Sequence, residues 1–105
     1  MKTTEEATTL LYSVRAKPGK QEETSELLRG LVTVSRSEPG NISYEAYQTA
    51  HDERSFFVYS VWTKKDALDA HHARQEVVEA AASFNELAEG DFDAGMNLLR
   101  KIRPS

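Results

Sequence analysis

The sequence predicts a single α+β domain in which an antiparallel sheet carries its helices on one face. Three observations predict it. Alternating strand-like segments frame the chain at Thr8 to Ala16 and Ala94 to Arg103, and two β-rich segments, Asn41 to Thr49 and Ser55 to Thr63, lie side by side in its middle. Each half also holds an apolar stripe at helical spacing, so the order reads β-α-β-β-α-β. With 105 residues the chain has room for one modest core and hardly a second. Its opening, Met1 to Ala7, lacks the apolar stretch of an export signal and reads as a polar tail. Residues 8–105 are then the domain, expected in the cytoplasm.

In the first strand Leu10, Tyr12, Val14 and Ala16 share a face, and Lys17-Pro18-Gly19 breaks the pattern. A helix follows, with Glu22 and Glu23 in its first turn and a stripe of Thr24, Leu27, Leu28, Leu31 and Ser35. Glu38-Pro39-Gly40 ends it. Gly30 within it costs about 1 kcal/mol against alanine, for which close approach to the sheet is the expected reason. The two central strands should pair through a polar loop, Ala50 to Arg54. Thr63 reads as the cap of a second helix that runs through Ala67, Leu68 and His71 and breaks or bends near Arg74-Gln75. It resumes with Val77, Val78, Ala81, Phe84 and Ala88, and Gly90 closes it. Met96 and Leu98 then alternate with Asn97 and Leu99 in the last strand.

This order is the split βαβ, or ferredoxin-like, arrangement of four strands with helices on one face. The strand Phe56 to Trp62 is apolar on both faces, with Phe56, Val58 and Trp62 on one and Phe57, Tyr59 and Val61 on the other. Helices cover only one of these. The sheet of a second copy would cover the other, which predicts a homodimer.

Composition excludes several classes of function. A formal net charge of −4 disfavours nucleic acid, whose phosphates need clustered Lys and Arg, and Arg100-Lys-Ile-Arg103 reads as a solvated strand end. No apolar run approaches the ~20 residues that span a bilayer, so no membrane partner is expected. There are no cysteines, and the adjacent His71 and His72 point about 100° apart, so no metal site is expected. Glycine-rich phosphate loops are missing, and no cofactor is predicted.

What remains is an aromatic and imidazole constellation. His71 falls on the apolar face of its helix, in line with Val78, and His72 falls toward the edge. Trp62 and Tyr12 are the aromatic groups placed to look back at it. An imidazole in such a cavity can take a proton from a phenol or enol. The alternative is a core histidine donating to a backbone carbonyl, with Trp62, Tyr12 and Tyr44 as core. His51 lies in a loop and reads as solvated.

Lys17-Pro18-Gly19-Lys20, Arg36-Ser-Glu-Pro-Gly40, Ser43-Tyr-Glu45, Tyr59-Ser-Val-Trp62 and Ala67-Leu-Asp-Ala-His71 together resemble the antibiotic biosynthesis monooxygenase domain, from Thr8 to Ile102. The resemblance implies small dimers of ferredoxin-like subunits with facing sheets and a pocket between sheet and helices. It also implies a choice among cofactor-free oxygenases of phenolic polyketides, quinol oxygenases, haem-degrading enzymes and a sugar isomerase. Where the polyketide oxygenases carry an Asn and a Tyr around the strand-end Trp, this chain has Val58 and Leu68, and only Trp62 is retained. The haem-degrading pattern places a His near Ala81 and an Asn near Tyr12, and a second His of other members falls on Glu76. The expected function is thus a cofactor-independent monooxygenase of a small aromatic, phenolic or quinol-type compound, with molecular oxygen as co-substrate. His71 and Trp62 are the catalytic candidates, and Tyr12, Tyr44, Ser60, Leu68 and Phe84 the substrate-binding ones. The alternative is a non-catalytic dimeric domain that binds a small molecule or assists a partner.

Overall fold

The computed structural model describes residues 7–90 and 92–104, so the expected polar tail lies, up to Glu6, outside the described residues. The chain runs β1 (Thr8–Ala16), α1 (Gln21–Arg36), β2 (Asn41–Thr49), β3 (Asp52–Trp62), α2 (Lys65–Ala73), α3 (Gln75–Leu87), β4 (Ala88–Glu89), a 3-10 turn (Phe92–Gly95) and β5 (Met96–Leu99). The sheet is antiparallel in the order β2-β3-β1. The free edge of β1 is shared, with β4 opposite Arg15 and Ala16 and β5 opposite Thr9 to Tyr12. This is the predicted ferredoxin-like α+β fold.

Alternation decides which residues form the core. Leu10, Tyr12, Val14 and Ala16 of β1 and Phe56, Val58, Ser60 and Trp62 of β3 are buried on one face of the sheet. The helices cover that face with Thr24, Leu28, Leu31 and Ser35 of α1, Leu68 and His71 of α2, and Val77, Ala80 and Phe84 of α3. Tyr12 meets Phe84 edge to face, with ring centroids 5.9 Å apart. On the other face Phe57 is 37% and Tyr59 40% exposed, alongside the exposed Tyr47 and Leu99. Among the described residues, no helix lies over them. Among the described residues, no helix is long and apolar enough to cross a membrane.

Several local expectations are corrected. The central hairpin is tighter than predicted, because Thr49 pairs with Asp52 and only Ala50 and His51 form the turn. Lys64, not Thr63, precedes α2, and it makes no side-chain capping bond. Of the expected break or bend near Arg74-Gln75 the structure shows the break, since the extended backbone of Arg74 (ψ 144°) separates α2 from α3. On α3 the buried stripe is Val77, Ala80 and Phe84, while Val78 is exposed. That helix ends at Leu87, and Ala88-Glu89 pair with β1 before Gly90 turns the chain. Gly30 is exposed, and a Cβ there would meet nothing within 4 Å, so no close approach explains it. The last strand is short because Phe92–Gly95 form a 3-10 turn, and the Arg100 to Arg103 segment lies exposed beyond the ladder.

Candidate active site

The turn that ends α1 builds the site. The Glu38 N–H donates to the Ser35 carbonyl (3.1 Å) and the Asn41 N–H to the Glu38 carbonyl (3.2 Å), which folds Glu38 back under the helix end. Gly40 has φ +83°, and a Cβ there would sit 2.6 Å from the Ala67 Cβ and 2.9 Å from the Thr63 Oγ1. Only glycine lets the start of α2 pack on this turn. The contact is fixed by the Thr63 N–H donating to the Gly40 carbonyl at 2.8 Å. His71, on the buried side of α2, is thereby brought over Glu38.

His71 is 4% exposed and its Nδ1 lies 3.0 Å from Glu38 Oε1. The Glu38 side chain is only 3% exposed, and its second oxygen faces the Arg74 Nε at 3.3 Å. Arg74 also reaches Glu76, at 3.6 Å. Around the imidazole stand Trp62, Tyr44 and His72, with ring centroids 4.7, 5.6 and 5.2 Å away. Trp62 is wholly buried, and its Nε1–H donates to Ser60 Oγ at 3.0 Å.

Burial lowers the His71 pKa to about 4, and the Arg74 guanidinium pushes in the same direction. The ring is therefore neutral at pH 7. Burial also raises Glu38 above the ordinary carboxylate value, with Arg74 pulling it back down. The Tyr44 phenol is pushed up to about 12, again by burial, and stays protonated; the neighbouring Ser35 hydroxyl opposes the shift.

Within the sheet-helix layer lies an enclosed cavity of about 20 Å³, lined by Tyr12, Tyr44, Ser60, His71, His72 and Phe84 among others. It has room for one water molecule and none for an aromatic ring. Beside it an open groove of about 480 Å³ runs between α2, α3 and the β1-β5 edge, past Leu68, Val78 and Leu98. Leu10, His72, Val77 and Met96 line both spaces and form the partition between them.

Of the predicted site residues, Tyr12, Tyr44, Ser60, His71 and Phe84 are brought together on the cavity, while Leu68 stands on the groove. Trp62 lines neither, because its indole lies behind His71 and fills core. Glu38 and Arg74 were read from sequence only as a helix end and a bend. A carboxylate just before Pro-Gly gives no sign of burial until the turn is seen.

Low pH provides a stability test. Below pH 6.5 the unfolded chain protonates His71, while the folded protein resists until about pH 4, so stability falls as pH drops through this window. The loss from this group is on the order of 2 to 3 kcal/mol. Glu38, with its raised pKa, offsets part of the loss by binding its proton earlier in the folded state. Urea unfolding at pH 7 and pH 4.5 should therefore show a larger fall in midpoint for the wild type than for His71→Gln. Equal falls would mean that His71 is not a buried neutral imidazole.

Comparison with known proteins places this geometry among relatives. Residues 8–83 match the sequence profile of the family described as "Antibiotic biosynthesis monooxygenase". A protein of Synechocystis sp. (strain ATCC 27184 / PCC 6803 / Kazusa), sll1783, is 41% identical over 59 residues, 56% of this chain; the match spans 40% of that relative's length. YcnE of Bacillus subtilis (strain 168), provisionally named a monooxygenase, is 28% identical over 80 residues, covering 76% of this chain and 84% of its own. The crystal structure of PA3566 from Pseudomonas aeruginosa superposes with a TM-score of 0.85 at 24% identity, over 97% of this chain and all of that one. At that identity the superposition speaks for the fold alone.

Proposed function

The chain belongs to the antibiotic biosynthesis monooxygenase family, and from that premise we propose that it is a cofactor-independent monooxygenase of a small aromatic, phenolic or quinol-type compound, with His71 as the base. The observation that supports this is a buried neutral imidazole whose Nδ1 is committed to Glu38 while its ring faces a cavity beside an apolar groove. The opposite nitrogen, Nε2, is left for a ligand. A groove of about 480 Å³ falls within the ordinary range of small-molecule sites, about 300 to 1,000 Å³. The body of a flat ligand would lie in it. Its acidic group reaches His71 once Met96, an unbranched and adaptable side chain, swings away from His72.

For a phenol with an acidic ring methylene, His71 removes a proton and the resulting carbanion gives one electron to oxygen. The substrate radical and superoxide then combine to a peroxide, which takes the proton back. Loss of the second methylene proton expels hydroxide, which leaves as water, so the methylene and oxygen become a carbonyl and water. The substrate is the reductant. The polypeptide's part is to position it and carry the proton.

Purified protein, given a panel of quinols and anthrone-like phenols in an oxygen electrode, should consume oxygen faster than matched autoxidation controls. Uptake at the control rate for every compound would count against the reading. One observation favours the alternative of a non-catalytic binding domain: the space at His71 is large enough only for a water. In that case a compound would raise the melting temperature without being turned over.

We also propose that the active form is a homodimer, in which the uncovered face carrying Phe57 and Tyr59 meets its counterpart in a second copy.

A further inference from the structure

Burying a carboxylate is costly unless every charge and lone pair finds a partner. Glu38 is nonetheless 3% exposed in its side chain, at the end of α1, where a neutral residue would make the same turn. Oε1 meets His71 Nδ1 at 3.0 Å, whereas Oε2 faces Arg74 Nε at 3.3 Å as an ion pair in which neither atom makes a hydrogen bond. An ionised carboxylate only accepts hydrogen bonds, so with Glu38 in that form the hydrogen of this contact is the imidazole's.

We propose that Glu38, anchored by Arg74, is the positioning residue of the site, holding His71 in the tautomer protonated on Nδ1 so that Nε2 is the base. This rests on the reading of His71 as base given above. The arrangement does two things. It removes the other tautomer, in which Nε2 would carry a hydrogen and accept no proton from a ligand. It also places a negative charge against the ring when the imidazolium forms, so that the charge created by proton transfer is met at 3.0 Å. Arg74, with its side chain 40% exposed, favours the ionised form of Glu38 against the larger, opposing effect of burial and ties it to the break between α2 and α3. The other titratable groups facing the pair are His72 of α2, Glu76 of α3 and Tyr44 of β2.

Nitrogen-15 NMR of histidine-labelled protein decides the matter without any substrate. In the wild type at pH 7 His71 should carry its hydrogen on Nδ1. In Glu38→Gln the amide can donate to Nδ1, so the Nε2-protonated form should gain population and the titration midpoint of His71 should fall. With a turned-over compound, Glu38→Gln should lower kcat about tenfold or more while moving KM little, and Glu38→Asp should recover part of the loss. A wild-type His71 protonated on Nε2, or a Glu38→Gln variant with unchanged tautomer and midpoint, overturns the proposal. If Glu38→Gln does not fold, the wild-type tautomer alone decides. The expected tautomer and its shift in Glu38→Gln, found in a protein that turns over no compound, would uphold the positioning role and defeat the oxygenase reading instead.

Discussion

Replacing His71 with alanine is expected to lower kcat by about a hundredfold or more, the scale on which a general base contributes to proton abstraction. The expectation follows from geometry. With Nδ1 bound to Glu38, His71 offers one nitrogen to the cavity, and the other polar side chains there are the two tyrosines, Ser60 and His72. Tyr44, with its pKa near 12, does not ionise at working pH and cannot take over. The variant also removes one partner of a buried carboxylate, so a fall in stability should accompany the loss of rate. Imidazole added to His71→Ala separates the two effects, because it restores a base within the vacated space. Partial recovery of kcat is expected, and His51→Ala, in the exposed hairpin turn, should behave as wild type. A His71→Ala variant as active as the wild type on a compound that the protein turns over would show that another group removes the proton.

How much of this was legible beforehand depended on the range of the interaction. Alternation in β1 and β3 is a local property, and it placed Tyr12, Val14, Phe56 and Val58 on the helix side and Phe57 and Tyr59 on the other. Helical periodicity likewise put His71 inward. The Glu38 contact is not local, for it joins residues 33 apart in sequence through the close packing that Gly40 permits. No spacing rule encodes that. Trp62 stands behind His71 and on neither the cavity nor the groove for a related reason: alternation gives the face of a side chain but not its depth. The indole is spent on packing behind His71 and on its bond to Ser60. Val78 misled because a helical wheel ranks positions by angle alone, whereas the break at Arg74 reorients α3 relative to α2, and Gly30 misled because a propensity cost carries no information on what packs nearby.

A carboxylate placed on the uncovered face of the sheet should dissociate the protein. The apolar residues of that face are Leu11 on β1, Phe57, Tyr59 and Val61 on β3, Tyr47 on β2 and Leu99 on β5, set by the register among Thr9, Ser13, Ser43, Glu45 and Asn97. Cross-strand pairing makes it contiguous: Leu11 stands opposite Tyr59, and Phe57 opposite Tyr47. Full burial of a large apolar side chain contributes about 1.5 to 3 kcal/mol, so several of them meeting a second copy outweigh the entropy lost on pairing. Light scattering at micromolar concentration should give twice the chain mass for the wild type. In Val61→Glu the new carboxylate would be buried in the contact without a partner, a penalty of several kcal/mol that each copy contributes. The mass should therefore fall to that of one chain, or the protein should unfold. Ile102→Glu, at an exposed position beyond β5, provides the control for added charge and should leave the mass unchanged. A wild type that scatters as a single chain would remove the dimer, whereas a Val61→Glu protein that stays dimeric and stable would mean that the copies meet through a different surface.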